Sequence, residues 1–129
     1  GLCPTTEANL GDGIFHAETY MRANGAFGIG SDSNVCVSPW EELKTMEYAQ
    51  RLSSRRRTVL HDNNSPSVGR TLFERAAKGG AQALGIESGI IAINARADLI
   101  APDMSHPLLT GKTGDTILDT LIFGLHPRM

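Results

Sequence analysis

The clearest periodic pattern of apolar and polar residues begins at Ser38. The apolar side chains of Trp40, Leu43 and Met46 then recur at the spacing of one helix face, which either Ala49 or Gln50 continues. Ser38 is a suitable N-cap, a proline occupies the first helical position, and Glu41 stands at the third position, as in a capping box. The sequence therefore predicts a helix from position 39 to about position 57.

A second helical pattern covers residues 69–84, and Gly85 follows it as a typical C-terminal stop. Its apolar face consists of Leu72, Phe73, Ala76, Ala77, Ala81 and Leu84. Gly79 and Gly80 lie inside this pattern, although each glycine costs roughly 1 kcal/mol of helix propensity. We therefore expect close packing of another element against the helix at these two positions.

The N-terminal part of the chain mixes polar and short apolar segments. Residues 5–13 are rich in small and polar side chains and are predicted to form a loop. Residues 17–24 have helical spacing and end at Gly25. Residues 26–30 are short and apolar, which predicts a buried strand that enters the polar turn 31–34.

The pattern changes after Gly85. Residues 89–93 and 97–100 are short segments with a preference for β-structure, which predicts a hairpin or meander, and residues 118–125 predict a further strand. The sequence thus divides near residue 86 into a mixed helix and strand segment and a segment of small strands.

Composition and charge indicate an ordinary globular protein. Of 129 residues, 40% are hydrophobic and 20% charged, which is enough to form a core. The formal net charge of −2 argues against a nucleic-acid or membrane-surface partner, which would require a one-sided basic face. Two cysteines, Cys3 and Cys36, are too few for a disulfide scaffold. We expect a soluble cytoplasmic protein.

Asp32 is the strongest candidate for chemistry. It follows a short apolar strand, and in parallel α/β barrels the residues at the carboxyl ends of the strands line the active site. A carboxylate at this edge suits a divalent metal and can carry a proton for a metal-bound water. The alternative is a structural Asx turn, in which the Asp32 side chain caps its own loop.

The other candidates for a functional role have weaker support from the sequence. Glu7 is a possible general acid or base, and residues 5–9 are possible contributors of polar groups to a pocket. The histidines do not have the close spacing of a metal motif and are more typical of surface or packing positions: His16, His61, His106 and His126. The chain therefore does not provide a complete metal site by itself.

Two strings, CPTTEANLGDG at residues 3–13 and GIGSDSNV at residues 28–35, resemble the last strands of the metal-dependent amidohydrolase barrel. Within that superfamily the chain resembles the formimidoylglutamate deiminases. The resemblance continues through SPWEELKTMEYAQRL, GRTLFERAAKGGAQALG, ADL and HPLLTGKTGDTILDTLIF, so it covers nearly the whole chain.

The resemblance implies an α/β fold, the C-terminal portion of an amidohydrolase-type (β/α)8 barrel followed by part of a small β-sandwich. Residues 1–85 would form the last βα units and residues 86–129 the partial sandwich. Because a barrel needs at least about 200 residues, we expect a piece of a longer enzyme that is inactive by itself. The resemblance also leads us to expect a small-molecule substrate, and a homodimer for the full-length enzyme.

The resemblance assigns Asp32 as a metal ligand and catalytic proton carrier, with Zn²⁺ or another divalent metal such as Fe²⁺ as cofactor. The implied reaction, a step of histidine degradation, hydrolyses the formimino C=N group of N-formimino-L-glutamate to N-formyl-L-glutamate and ammonia. The substrate-binding residues and metal histidines would lie outside this chain. The sequence departs from the family at His16, where a proline is usual, and at residues 125–128.

Two alternatives remain open from the sequence. One is another aminohydrolase of the same superfamily, such as a guanine-type deaminase, because the loop and the Gly-Ser-Asp turn are shared among such enzymes. The other is a small non-catalytic α/β binding module without a metal.

Overall fold

Five helices are present in the described part of the chain, residues 1–63 and 65–124 of this computed structural model. In chain order they are α1 (Pro4–Leu10), α2 (Ala17–Arg22), α3 (Pro39–Ser54), α4 (Val68–Leu84) and α5 (Asp115–Phe123). None of these five is long and apolar enough to cross a lipid bilayer.

Helix α3 confirms the prediction made from its N-terminal residues. The Ser38 side chain accepts a hydrogen bond from the backbone N–H of Glu41 at 3.4 Å, and a proline begins the helix. The helix ends three residues before the predicted position because Arg55 adopts a left-handed conformation, with φ of 55°. Leu43 and Met46 are buried on its inner face, as the spacing predicts.

Helix α4 confirms the second predicted helix, and Ser67 is its N-cap. The Ser67 hydroxyl accepts from the Arg70 N–H at 3.0 Å, and Gly85 ends the helix in the left-handed conformation. Gly79 lies against the backbone of Phe27, because a Cβ at Gly79 would stand 2.0 Å from the Phe27 carbonyl oxygen. The predicted close packing is thus confirmed at Gly79.

Gly79→Ala is expected to lower the free energy of unfolding by about 3 kcal/mol, the upper end of the usual overpacking range, because the added methyl meets backbone. Gly80→Ala is the matched control, since a Cβ there has no neighbour within 4 Å. The control should stabilise the helix by up to about 1 kcal/mol. Denaturant midpoints of the full-length protein measure both, and equal midpoints would contradict the proposed contact.

Residues 26–30, predicted as a strand, form a single parallel bridge. The Leu2 N–H donates to the Gly28 carbonyl at 3.0 Å, and the Gly30 N–H donates to the Leu2 carbonyl at 3.0 Å. The bridge joins Leu2 to Ile29, and both side chains pack against the hydrophobic core. Two extended segments therefore lie side by side in the same direction, although neither is a longer strand within the described residues.

The prediction of a loop over residues 5–13 is wrong for residues 5–10, because residues 4–10 form α1. Pro4 suits the first helical position, and Gly11 ends the helix with φ of 76°. The prediction for residues 17–24 is confirmed by α2, which ends two residues earlier than expected, and Asn24 has φ of 58°.

The strand predicted over residues 118–125 is wrong within the described residues, because residues 118–123 belong to helix α5. Leu121 and Ile122 are buried, and α5 packs against both α4 and α3. The Asp119 carboxylate fastens α5 to the start of α4 by accepting from the Gly69 N–H at 2.8 Å. Positions 125–128, where the sequence departs from the family it resembles, lie outside the described residues.

Residues 89–93 and 97–100 do not form the predicted strands in this part of the structure. Ile91 and Ile93 are 93% and 94% exposed, so the apolar pattern of the segment is not buried by the described residues. The β-sandwich and the boundary near residue 86 remain predictions.

One hydrophobic cluster connects α2, α3, α4, α5 and the extended segments. Its buried members are Ala17, Met21, Phe27, Leu43, Met46, Val59, Leu60, Val68, Leu72, Ala76 and Ile122. The two extended segments lie on this cluster, which fixes the position of the residues that follow them.

Candidate active site

The parallel bridge between Leu2 and Ile29 brings together the residues that follow each of them in the chain, and we call this side of the bridge the edge. Cys3 and α1 follow Leu2, and Ser31 and Asp32 follow Ile29. Because parallel strands run in the same direction, their carboxyl ends meet on the same side. The structure thus places Asp32 at the position that the sequence predicts, the carboxyl end of a short parallel pair.

Asp32 lies in a tight turn with its side chain exposed. Its φ of 48° is in the left-handed region, which is uncommon for a residue other than glycine. The turn is closed by the Asn34 N–H, which donates to the Ser31 carbonyl at 3.0 Å.

The Asp32 carboxylate forms no hydrogen bond or ion pair with the described residues, so the Asx turn left open by the sequence lacks its hydrogen bond. The Asx role belongs instead to Asn34, whose side-chain oxygen accepts from the Cys36 N–H at 2.9 Å. The carboxylate of Asp32 is therefore available to a ligand.

Thr6 links α1 directly to the Asp32 turn. Its side chain is buried, with 3% exposure, and its hydroxyl donates to the Ser31 carbonyl at 2.7 Å. Thr6 thus contacts the backbone of the turn, and the contribution of residues 5–9 to a pocket stays a prediction.

Glu42, which the sequence analysis did not identify, anchors the start of α1 from α3. Its carboxylate accepts from the Thr5 N–H at 2.9 Å and from the Thr5 hydroxyl. Glu42 is 1% exposed, so this buried carboxylate takes the place of a local N-cap for α1. The sequence could have indicated this burial, because Glu42 stands next to Leu43 and one turn before Met46, on the buried side of the helix.

Glu7, a predicted acid or base, is held by its own helix. Its carboxylate accepts from the Cys3 N–H at 2.7 Å, across the first turn of α1. This contact gives Glu7 a structural role at the helix start and leaves its predicted chemical role without support from the geometry.

The Cys3 thiol lies near several carboxylates that change its pKa. Partial burial raises the pKa of the Cys3 thiol above its ordinary value, and nearby carboxylates raise the pKa further. In decreasing order of effect, these carboxylates belong to Asp32, Glu42 and Glu7. Since a thiolate is the reactive form of cysteine, Cys3 is protonated at neutral pH and is not an activated nucleophile.

The donor atoms at this edge suit one position in the coordination of a divalent metal. Asp32 offers a hard oxygen ligand, which Zn²⁺ and similar cations accept. Residues 1–63 and 65–124 contain no group of three or more histidine, cysteine or acidic side chains that could hold a metal. His16, His61 and His106 are not brought together, and His126 lies outside the described residues. Further ligands would have to come from beyond this part of the chain.

Comparisons with known proteins relate this chain to one family of enzymes. The Amidohydrolase family matches residues 2–128. Formimidoylglutamate deiminase from Pseudomonas aeruginosa is 49% identical over 123 residues, which are 95% of this chain and 27% of that protein. A 5-methylthioadenosine/S-adenosylhomocysteine deaminase from Pyrococcus abyssi is 29% identical over 134 residues, covering 95% of this chain and 30% of that protein.

A solved structure also resembles this chain. The crystal structure of an amidohydrolase from Brucella melitensis superposes with a TM-score of 0.87 and 49% sequence identity, covering 96% of this chain and 27% of that one. The chain therefore spans less than a third of the length of each of these relatives.

Proposed function

Because this chain belongs to the amidohydrolase family, we propose that it is the C-terminal part of a metal-dependent hydrolase that acts on C–N bonds. The proposed reaction converts the formimino group of N-formimino-L-glutamate to the formyl group and releases ammonia. The observation that carries the proposal is the exposed carboxylate of Asp32 at the carboxyl end of the parallel pair Leu2–Ile29, where it has no hydrogen-bond partner among the described residues.

Asp32 has two tasks in this proposal. Its carboxylate provides one oxygen ligand to a divalent cation, Zn²⁺ or Fe²⁺. Such a cation acidifies the water that it binds: for zinc, the pKa of that water is about 9 in the free aquo ion and ~7 in a protein site. The Asp32 carboxylate also accepts the proton that water loses as its oxygen attacks the formimino carbon. Returning that proton to the formimino nitrogen makes it an amino group. The second proton of the water leaves the new hydroxyl group and reaches the same nitrogen as the C–N bond breaks, so the carbon keeps a C=O group and both protons of water leave in ammonia.

The other acidic side chains near Asp32 are occupied by contacts at the start of α1. Glu42 and Glu7 are already engaged by backbone N–H groups of the first turn of α1 and its flanking residue. Cys3 carries a protonated thiol. Asp32 is thus the one carboxylate among these residues that is exposed and without a hydrogen bond in the described structure.

The identities favour a formimino substrate over a purine one. Formimidoylglutamate deiminase matches at 49% identity, whereas the adenosine-type deaminases of several archaea match at 27–30%. A purine aminohydrolase is the second candidate, because those deaminases match over 82–95% of the chain.

Ammonia release by the metal-loaded full-length protein separates these candidates. We expect turnover of N-formimino-L-glutamate and little turnover of guanine, 5-methylthioadenosine or S-adenosylhomocysteine at the same concentrations. A higher kcat/KM for a purine substrate would replace the proposed substrate with the second candidate. No turnover of any C–N substrate would favour the non-catalytic binding module.

A further inference from the structure

Two contacts hold the backbone immediately before Asp32 in place. The Ser31 carbonyl accepts one hydrogen bond from the Asn34 N–H at 3.0 Å and a second from the Thr6 hydroxyl at 2.7 Å. The first of these is local to the turn. The second comes from another helix, 25 positions away in the sequence, and is buried at its Thr6 end.

These hydrogen bonds act on the conformation of Asp32 itself. The carbonyl of Ser31 and the amide nitrogen of Asp32 belong to one planar peptide unit. Fixing the direction of that carbonyl therefore restricts rotation about the N–Cα bond of Asp32. Its φ of 48° is unfavourable for an aspartate, and such conformations persist where the surroundings impose them.

Thr6 is itself held in a rigid frame. The Glu42 carboxylate fixes the preceding residue, Thr5, through its N–H at 2.9 Å and through its hydroxyl. On the other side, the bridge between Leu2 and Ile29 fixes the spacing of the two segments from which α1 and the turn begin. The Thr6 hydroxyl therefore donates from a segment of backbone that is held by contacts on both sides.

We propose that Thr6 is a positioning residue for Asp32, an inference that rests on the proposed role of Asp32 in metal binding and proton transfer. Loss of the hydroxyl leaves the Ser31 carbonyl with the local Asn34 hydrogen bond alone among the contacts of the described residues. The peptide unit can then rotate and Asp32 can leave its left-handed conformation. The carboxylate moves away from the edge where a metal and a substrate would meet it, while Thr6 itself touches neither.

The test compares Thr6→Val, Thr6→Ser and Thr71→Val in the full-length protein. Valine keeps the branched shape and removes the hydroxyl, whereas serine keeps the hydroxyl. Thr71 is the matched control, because it is also 3% exposed and its hydroxyl also donates to a carbonyl, that of Ser67 within α4 at 3.0 Å. The readouts are kcat and KM for N-formimino-L-glutamate, Zn²⁺ affinity of the metal-free protein, and Tm.

We expect Thr6→Val to lower kcat and Zn²⁺ affinity by about 10–100-fold, the usual effect of losing a group that orients a metal ligand, with KM nearly unchanged. Thr6→Ser should restore both values to near wild type. Thr71→Val should lower Tm at least as much as Thr6→Val while kcat and Zn²⁺ affinity stay at wild type. If Thr6→Val does not fold, Thr6→Ala makes the same comparison without a methyl group against the carbonyl.

Wild-type kcat and Zn²⁺ affinity in the folded Thr6→Val or Thr6→Ala protein would overturn the inference, as would a Thr6→Ser protein as impaired as Thr6→Val. Asp32→Asn separates this failure from that of the proposed function. An inactive Asp32→Asn protein beside a fully active Thr6→Val protein overturns only the role of Thr6. A fully active Asp32→Asn protein overturns the role of Asp32 and this inference with it.

Discussion

Replacing Asp32 with asparagine in the full-length protein is expected to lower kcat by about 10²–10⁴-fold, the contribution that a positioned acid or base makes to catalysis. Asparagine keeps the shape of the side chain but has no charge for a divalent cation and accepts no proton at neutral pH. Steady-state ammonia release measures the loss, and metal content after dialysis measures whether the variant retains its cation.

The fold should survive this change. The Asp32 side chain is exposed and forms no hydrogen bond with the described residues, and asparagine tolerates the left-handed conformation of the turn. The Tm of the metal-free variant should therefore stay near that of the wild type. Asp103→Asn is the control for the loss of one negative charge, because Asp103 is an exposed residue outside this edge. Wild-type turnover by Asp32→Asn would contradict the proposed mechanism.

Local sequence signals predicted the long helices correctly. Ser38 and Glu41 define the start of α3, and Gly85 defines the end of α4, because each of these contacts lies within a few residues of the chain. The position of Asp32 was also predicted, since a short apolar segment followed by a polar turn is a local pattern. The catalytic role of Asp32 stays a prediction.

The errors have non-local causes. Residues 4–10 form a helix partly because the Thr5 N–H finds its acceptor in Glu42, 37 residues away, which no local pattern reveals. For the same reason Thr6 was seen only as part of a polar segment, since its partner Ser31 lies 25 residues away. The error over residues 118–123 is different, because a short apolar run suits a buried helix as well as a strand.

Glu47 shows how an acidic residue in a helix pattern can be part of the core. Its side chain is 0% exposed, and its carboxylate accepts from the Val59 and Leu60 N–H groups at 2.9 Å each. Arg51, one turn later on α3, pairs with the same carboxylate at 2.7 Å. Glu47 therefore joins α3 to the segment that follows it, where Val59 and Leu60 enter the hydrophobic cluster.

Glu47→Ala is expected to lower the free energy of unfolding by about 2–6 kcal/mol, because two buried N–H groups lose their acceptor at about 1–3 kcal/mol each. Glu47→Gln should lose less, since its amide oxygen still accepts one of the two hydrogen bonds. Glu74→Ala is the control, because Glu74 forms an exposed pair with Arg70, worth about 1 kcal/mol or less. Denaturant unfolding of the full-length proteins gives the midpoints. A Glu47→Ala midpoint equal to that of Glu74→Ala would show that this buried carboxylate does not hold the segment after α3.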